Sequence, residues 1–308
     1  MPQITVIIAT HNAQKWIRTC LKCLDASTIP LKTLVVDNAS EDRTTSIIRR
    51  EFQKVRVIEQ ACNLGFGQAN NVAMRQAYED QTDYLFLLNQ DVYVYPDTVA
   101  RLVNAHQTHP EYGILSPVQL NGEGTNLDYR FRKYLSRHYE AGLIESLINP
   151  YPCAAGMLPV RFVNAATWLI SRHCLEKTGL FHPLFHHYGE DNNYCSRSQY
   201  QGFKTGVYAG AAARHDRKAF VRGPKSIVKK IRQVPLYTLL DIRKGPGTAR
   251  VLATCKMIGY VWKGILRLSP DIILTSVSEW RSLRKRWPEI QSVRREMKGT
   301  FAWSAASA

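Results

Sequence analysis

The sequence predicts an α/β protein with a Rossmann-like, doubly wound, mostly parallel sheet and a basic helical C-terminal region. Short apolar runs recur and each ends in polar residues, helix-period stretches separate them, and from about residue 217 the pattern turns helical and basic.

The first run, Ile4–Ala9, ends in Thr10-His11-Asn12 and is followed by Trp16, Ile17, Cys20, Leu21 and Leu24 at helical spacing. The second, Leu34–Val36, ends in Asp37-Asn38-Ala39-Ser40, and Ser40-Glu41-Asp42 reads as the next helix N-terminus. Val55–Glu59 runs into Gln60-Ala61-Cys62-Asn63, and Ala69, Val72, Ala73 and Ala77 form a third helical stripe. Tyr84–Leu88 is an unbroken apolar run into Asn89-Gln90-Asp91, as expected of a strand buried on both faces. Pro96-Asp97 then opens a helix carrying Val99, Leu102, Val103 and His106. Parallel strands place their C-terminal ends on one edge, where such sheets bind ligands, so Thr10, His11, Asp37, Asn63 and Asp91 are expected to line one crevice. Taken singly, Asp91 reads equally as a turn or cap acid.

Residues 119–158 change character. Asn121-Gly122-Glu123-Gly124 opens an irregular stretch with Arg130, Arg132, Lys133 and Tyr129, Tyr134, Tyr139 and Tyr151, closed by Pro150 and Pro152, which is expected to be a loop-rich recognition lobe. Arg161–Ser171 reads as a strand, Cys174–Thr178 before Gly179 as a short helix, and Glu190 to about Gln201 as a helix between Gly189 and Gly202. The helix dipole alone would favour two acids at that start. Lys204–Tyr208 is a further strand, and Ala209–Ala213 leads to Arg214-His215-Asp216. The expected division is a catalytic domain over 1–216, with halves 1–118 and 119–216, and a helical region over 217–308.

At 308 residues and 45% hydrophobic composition the chain is globular. The start lacks a basic signal-like segment and no apolar run approaches the roughly 20 residues of a spanning helix, so the expected location is cytoplasmic or peripheral. Seven scattered cysteines are expected to be reduced thiols, with Cys20 and Cys23 packing in a helix rather than holding zinc. The net charge is +16, and residues 217–308 carry 20 of the 41 Lys/Arg but 5 of the 25 Asp/Glu. Such a tail suits an anionic surface or is simply a solvated face. Nucleic-acid binding lacks any zinc-finger, RNP or basic-zipper pattern. An anionic membrane contact and a homodimer both stay open.

The motifs V-I-I-A-T-H-N (6–12), V-V-D-N-A-S-E-D (35–42), N-L-G-F-G-Q-A-N-N (63–71), L-L-N-Q-D-V (87–92), G-E-D (189–191) and His215 have a specific order and spacing. Together they resemble the family 2 glycosyltransferases of the GT-A fold, particularly the rhamnosyltransferase-like branch, over about residues 3–217. The resemblance implies a nucleotide-sugar donor, a glycan or lipid-linked acceptor and an inverting transfer. It assigns Thr10, His11, Asn12, Asp37 and Asn63 to the nucleoside pocket, Gly65 and Gly67 to a backbone approach to the donor, and Asn89 and Asp91 to the N-x-D form of the metal motif. Asp191 matches the catalytic base with Glu190 as its partner, and His215 matches a second ligand of a divalent cation, Mg2+ or Mn2+. One carboxylate suffices for a cation that shares its sphere with phosphates and water, and such a cation steadies a diphosphate leaving group. Read as a dinucleotide fingerprint, G-F-G-Q-A-N lacks the third glycine and follows the wrong strand. The sequence departs from the family at His11, Gln90, His182 and Asn193. His182-x3-His186 has metal-ligand spacing, but Pro183 opposes a helix there. A non-catalytic nucleotide-sugar-binding scaffold is the competing reading.

Overall fold

The computed structural model describes residues 1–136, 156–185, 188–217 and 224–299. Tyr139, Pro150, Tyr151, Pro152 and His186, all singled out in the sequence, lie outside them.

Four parallel strands come first: β1 (Ile4–Thr10), β2 (Lys32–Asp37), β3 (Arg56–Glu59) and β4 (Tyr84–Leu88). Helices α1 (Ile17–Asp25), α2 (Thr44–Glu51) and α3 (Phe66–Glu79) connect them, and α4 (Thr98–Thr108) follows the short β5 (Val92–Val94). The second half supplies β6 (Tyr112–Asn121), α5 (Tyr129–Ser136), β7 (Met157–Val160), β8 (Thr167–Ser171), α6 (Arg172–Thr178), α7 (Glu190–Tyr200) and β9 (Lys204–His215). One nine-stranded sheet results, ordered β3-β2-β1-β4-β8-β6-β9-β5, with β7 beside β9. Its parallel part is β1–β4 and the β6–β9 pair, while β8, β5 and β7 join antiparallel. The wholly buried β4 accounts for the unbroken Y-L-F-L-L run, since both its faces meet packed layers.

Four sequence expectations are corrected. Helix α2 starts at Thr44 because the Ser40 hydroxyl and amide are both spent on Asp37, at 2.6 and 3.0 Å, leaving Asp42 to accept from the Thr44 amide at 2.9 Å. The expected strand over Arg161–Ser171 contracts to β8, and residues 161–166 form a loop. The described part of the supposedly irregular stretch contains α5, whose Phe131 and Leu135 are buried and whose start is capped by Asp128 accepting from the Phe131 amide at 2.8 Å. Finally, the expected strand over Lys204–Tyr208 extends into one strand, β9, from 204 to 215, with a register shift opposite Pro117 and Val118.

Helices α8 (Pro224–Leu239), α9 (Pro246–Leu266), α10 (Pro270–Lys285) and α11 (Trp287–Glu296) follow. They pack on α7 and the loop before it. Phe185 enters their apolar cluster with Leu239, Leu283 and Ile290, Ser196 donates to Asp241 at 2.8 Å, and the Asn193 amide reaches Met297 Sδ at 3.5 Å. The buried Arg294 guanidinium donates to the carbonyls of Leu239, Asp241 and Lys244, tying α11 to the turn after α8. Cys20 is buried in α1 and Cys23 half-buried, both as free thiols.

Candidate active site

The C-terminal ends of β1–β4 do form one polar edge, and its hydrogen bonds can be followed side chain by side chain. Thr10 Oγ1, at the end of β1, donates to Asp37 Oδ1 at 3.0 Å. Asp37 is buried and also holds Ser40, so its carboxylate fixes the two strand ends relative to each other. Asn38, which the sequence reading passed over, is the hub: its amide nitrogen donates to Asn63 Oδ1 at 2.8 Å, its side-chain oxygen accepts from the Leu64 amide at 2.7 Å, and its carbonyl meets His11 Nδ1 at 3.0 Å. His11 in turn exchanges backbone bonds with the Gln90 side chain, at 2.9 and 3.3 Å. Asn12 accepts from the Glu41 amide at 2.9 Å. Asn12 and Ala39 both have positive φ, 51° and 59°, so the two loops beyond β1 and β2 are held in the sparsely populated left-handed region.

The edge continues past β4. Asp91 Oδ1 lies 3.3 Å from His215 Nε2, because β5 pairs with the end of β9 and places Val92 opposite His215. The two residues are 124 positions apart, and sequence alone gave only their resemblance to a ligand pair. Beside them, Arg217 forms a bidentate pair with Asp128, holding that carboxyl below its ordinary range despite burial and pinning α5 to the strand end.

Glu190 and Asp191 occupy the first turn of α7, after Tyr188 (φ 72°) and Gly189 (φ 98°). A β-carbon on Gly189 would sit 3.1 Å from the Phe185 ring in addition to the backbone strain, so glycine is required there. The Tyr188 ring lies under the Lys229 ammonium of α8, at 3.3 Å, which stabilises the strained residue from the C-terminal helices. From the other side α3 approaches: a β-carbon on Gly67 would be 3.1 Å from Phe181 Cβ and 3.6 Å from Glu190 Cβ. Asn71 exchanges two 2.8 Å bonds with the Phe181 backbone, and the buried Arg197 donates to the carbonyls of Thr178 and Leu180 and, at 3.0 Å, to Asn193. Gly67 therefore brings α3 against the two acids at the start of α7, a role in packing.

The pair is electrostatically uneven. Burial pushes the Glu190 carboxyl up to about 8, helped by the adjacent Asp191 charge, and its Oε2 is buried without a hydrogen-bond partner among the described residues. Burial also raises Asp191, to about 6, but the Asn192 amide donates to its Oδ1 at 2.8 Å and the Ala165 amide favours its charged form. Both carboxyls are therefore raised by burial, and the adjacent pair holds its protons more tightly than two exposed acids would. Tyr134 of α5 lies within the field of both Asp191 and the Asp128–Arg217 pair, which puts α5 beside the two halves of the site.

The donor set suits a cation shared with a diphosphate. Asp91 and His215 supply one carboxylate and one imidazole, and Asn89 Oδ1 and His215 Nδ1 are buried without partners among the described residues. Among those residues no group of three or more His, Cys, Asp or Glu converges. His182 is no ligand in a helix: it is half-buried, its pKa is lowered to about 4 by burial and then by Arg197, and its Nδ1 accepts from the Leu184 amide at 3.2 Å.

Residues 5–176 match the model of the family described as Glycosyl transferase family 2. The chain belongs to that family. It is similar to the N-acetylglucosaminyl-diphospho-decaprenol L-rhamnosyltransferase of Mycobacterium tuberculosis, 24% identical over 209 residues that cover 61% of this chain and 67% of that protein. It is also similar to the poly(ribitol-phosphate) beta-N-acetylglucosaminyltransferase TarS of Staphylococcus aureus, 27% identical over 133 residues, which are 40% of this chain and only 22% of TarS. The mannosyltransferase PcManGT from Pyrobaculum calidifontis, solved with GDP-Man and Mn2+, superposes with a TM-score of 0.60 at 17% identity over 99% of this chain and 78% of that one. These likenesses establish the GT-A fold, and the family makes the chain a glycosyltransferase.

Proposed function

We propose that this glycosyltransferase moves a sugar from a nucleotide-diphosphate donor to a hydroxyl of a glycan or lipid-linked acceptor, with inversion, in the assembly of a surface polysaccharide. The observation that carries the reading is the adjacent pair of acids at the start of α7, brought by Gly67 against α3 and so beside a hydrogen-bonded edge that can take a nucleotide. Thr10, His11, Asn12, Asp37 and Asn63 surround the nucleoside, with Asn38 fixing their loops. Gly65 and Gly67 let α3 approach the donor. A divalent cation, Mg2+ or Mn2+, would be held by Asp91 and His215 and would neutralise charge on the departing diphosphate. The donor is UDP- or dTDP-linked. The name of the mycobacterial relative, a rhamnosyltransferase with a polyprenyl-diphosphate acceptor, supports dTDP-rhamnose and a lipid-linked acceptor.

The chemistry then follows from where the protons are. Asp191 takes the proton of the acceptor hydroxyl as that oxygen bonds to the anomeric carbon, the anomeric carbon–oxygen bond to the diphosphate breaks, and the nucleoside diphosphate leaves with the bond's electron pair. A single displacement inverts the centre. Glu190, the adjacent buried carboxyl, can hydrogen-bond the acceptor or Asp191 and so orient the base. The catalytic domain is taken as 1–216, its acceptor side contributed by 119–216, and the enzyme acts in the cytoplasm or on the inner face of the membrane. A scaffold that binds but does not turn over donor would not need a carboxylate tuned toward neutral pH.

The test is a panel of UDP- and dTDP-sugars assayed for nucleoside diphosphate release, with melting temperature read in parallel, with Mn2+ and with chelator. Metal-dependent stabilisation by one nucleotide and slow release of its diphosphate support the reading. Binding without any turnover, with or without an acceptor mixture, would favour the scaffold.

A further inference from the structure

Helix α9 buries small or flexible side chains and exposes large ones. Ala249, Ala253, Met257 and Gly264 face the other C-terminal helices, and a β-carbon on Gly264 would fall 2.6 Å from Ile273, so α10 packs tightly against that side. The opposite side carries Val251, Leu252, Ile258, Trp262, Ile265 and Leu266, with Trp262 at 59% and Leu266 at 79% exposure. At 100° per residue these fall in one arc with no charged residue inside it. Leu268, 90% exposed, and Leu274 and Val277 on α10 continue the surface. Monomeric proteins seldom show such a patch without a partner.

The surroundings say which partner. Arg250, Lys263, Arg281, Arg284 and Lys285 stand on these two helices and Arg267 between them, against only Asp271 and Glu279. None of the six is in an ion pair with a carboxylate among the described residues. A second copy packed face to face would set this positive rim against its own image, whereas an anionic leaflet offers an apolar interior beneath negative headgroups. No helix among the described residues is long and apolar enough to cross a membrane, which leaves a helix lying in the interface, and a tryptophan central to its apolar arc suits that depth.

We propose that α9, with the start of α10, seats in the surface of an anionic bilayer through Ile258, Trp262, Ile265 and Leu266, and that its basic rim provides the charge attraction. Because α8 joins this face to the α7 active site through Lys229 and Tyr188, docking would present the catalytic edge to acceptors in the same membrane. Vesicle binding requires neither nucleotide nor acceptor, so its failure and a failure of glycosyl transfer are distinguishable.

The experiment uses the whole chain and vesicles of phosphatidylcholine with or without 30% phosphatidylglycerol. Co-sedimentation should require phosphatidylglycerol and weaken at least tenfold between about 50 and 500 mM salt. The pair Ile258→Glu/Leu266→Glu should lose at least another tenfold with its melting temperature and its donor hydrolysis unchanged. Should that pair misfold, brominated lipid provides the alternative measurement: it should quench the wild type, and Trp262→Phe should remove that quenching. The proposal is overturned if the wild type ignores anionic vesicles at 50 mM salt, if a folded Glu pair binds them as well as wild type, if quenching is absent or survives Trp262→Phe, or if sedimentation reveals a dimer that the Glu pair dissociates.

Discussion

Replacing Glu190 by Gln should stabilise the protein, and only at neutral to alkaline pH. Gln keeps the shape of the side chain and removes its charge, so the change isolates the cost of ionising a carboxyl that is 5% exposed and beside Asp191. The folded state holds the Glu190 proton more tightly than the unfolded chain, with a pKa of about 8 in place of 4.5. Its contribution is therefore fully favourable below about pH 4.5 and is lost as pH rises through about 8. At roughly 1.4 kcal/mol per unit the full displacement corresponds to about 4 kcal/mol by pH 8. Local relaxation and the Lys229 charge reduce this, and a gain of about 1–3 kcal/mol for Glu190→Gln at pH 8, vanishing by pH 4.5, is expected. Urea denaturation at matched ionic strength measures it directly, as a shift in midpoint at constant slope. A stability difference independent of pH, or a mutant less stable than wild type at pH 8, would refute the picture of a strained, desolvated carboxyl.

Other expectations follow from the same site. Because Asp191 must be ionised to act as base and its pKa is raised to about 6, kcat should fall tenfold per pH unit below about 6, not near the usual aspartate value; a profile flat down to pH 5 would contradict this. Gly67→Ala should cost about 1–3 kcal/mol by overpacking against Phe181 and should lower turnover by displacing Glu190, both measurable on the purified variant. Arg197→Met leaves the carbonyls of Thr178 and Leu180 without their donor and should cost about 2–4 kcal/mol in urea titration. A smaller loss would mean that the loop before α7 is held chiefly by Asn71.

The strand ends were legible because each is an apolar run meeting polar residues, a pattern that burial of the parallel sheet imposes. Asp37, Asn63 and Asp91 could be placed on one edge from topology alone. Asn38 could not, since its importance lies in three bonds to residues from other loops, and nothing in an Asn after an Asp signals that. Helix α5 was hidden by its surface: only Phe131 and Leu135 face inward, and the Asp128 cap that starts it depends on Arg217, far away in sequence. Ser40 looked like a helix cap until its hydroxyl was seen to serve Asp37. His215 carried no periodic signal and stood out in the sequence only through the family resemblance; its place beside Asp91 comes from the pairing of β5 with β9. The exposed arc of α9 was masked because its buried side is also apolar, built of Ala, Met and Gly, so its basic residues only flank the two apolar sides and do not reveal which of them meets solvent.

The most direct measurement of the central claim compares Asp191→Asn with wild type in two assays on one preparation: donor affinity by calorimetry with Mn2+, and sugar transfer to the acceptor. If Asp191 is the base, its removal should lower transfer about 10²–10⁴-fold and leave the affinity for the nucleotide sugar within about twofold, because in the proposed mechanism Asp191 acts on the acceptor while the nucleotide is bound along the edge from Thr10 to Asp91. Transfer near the wild-type rate would remove Asp191 from the mechanism, and a loss of donor affinity as large as the loss of transfer would place it in the donor site instead.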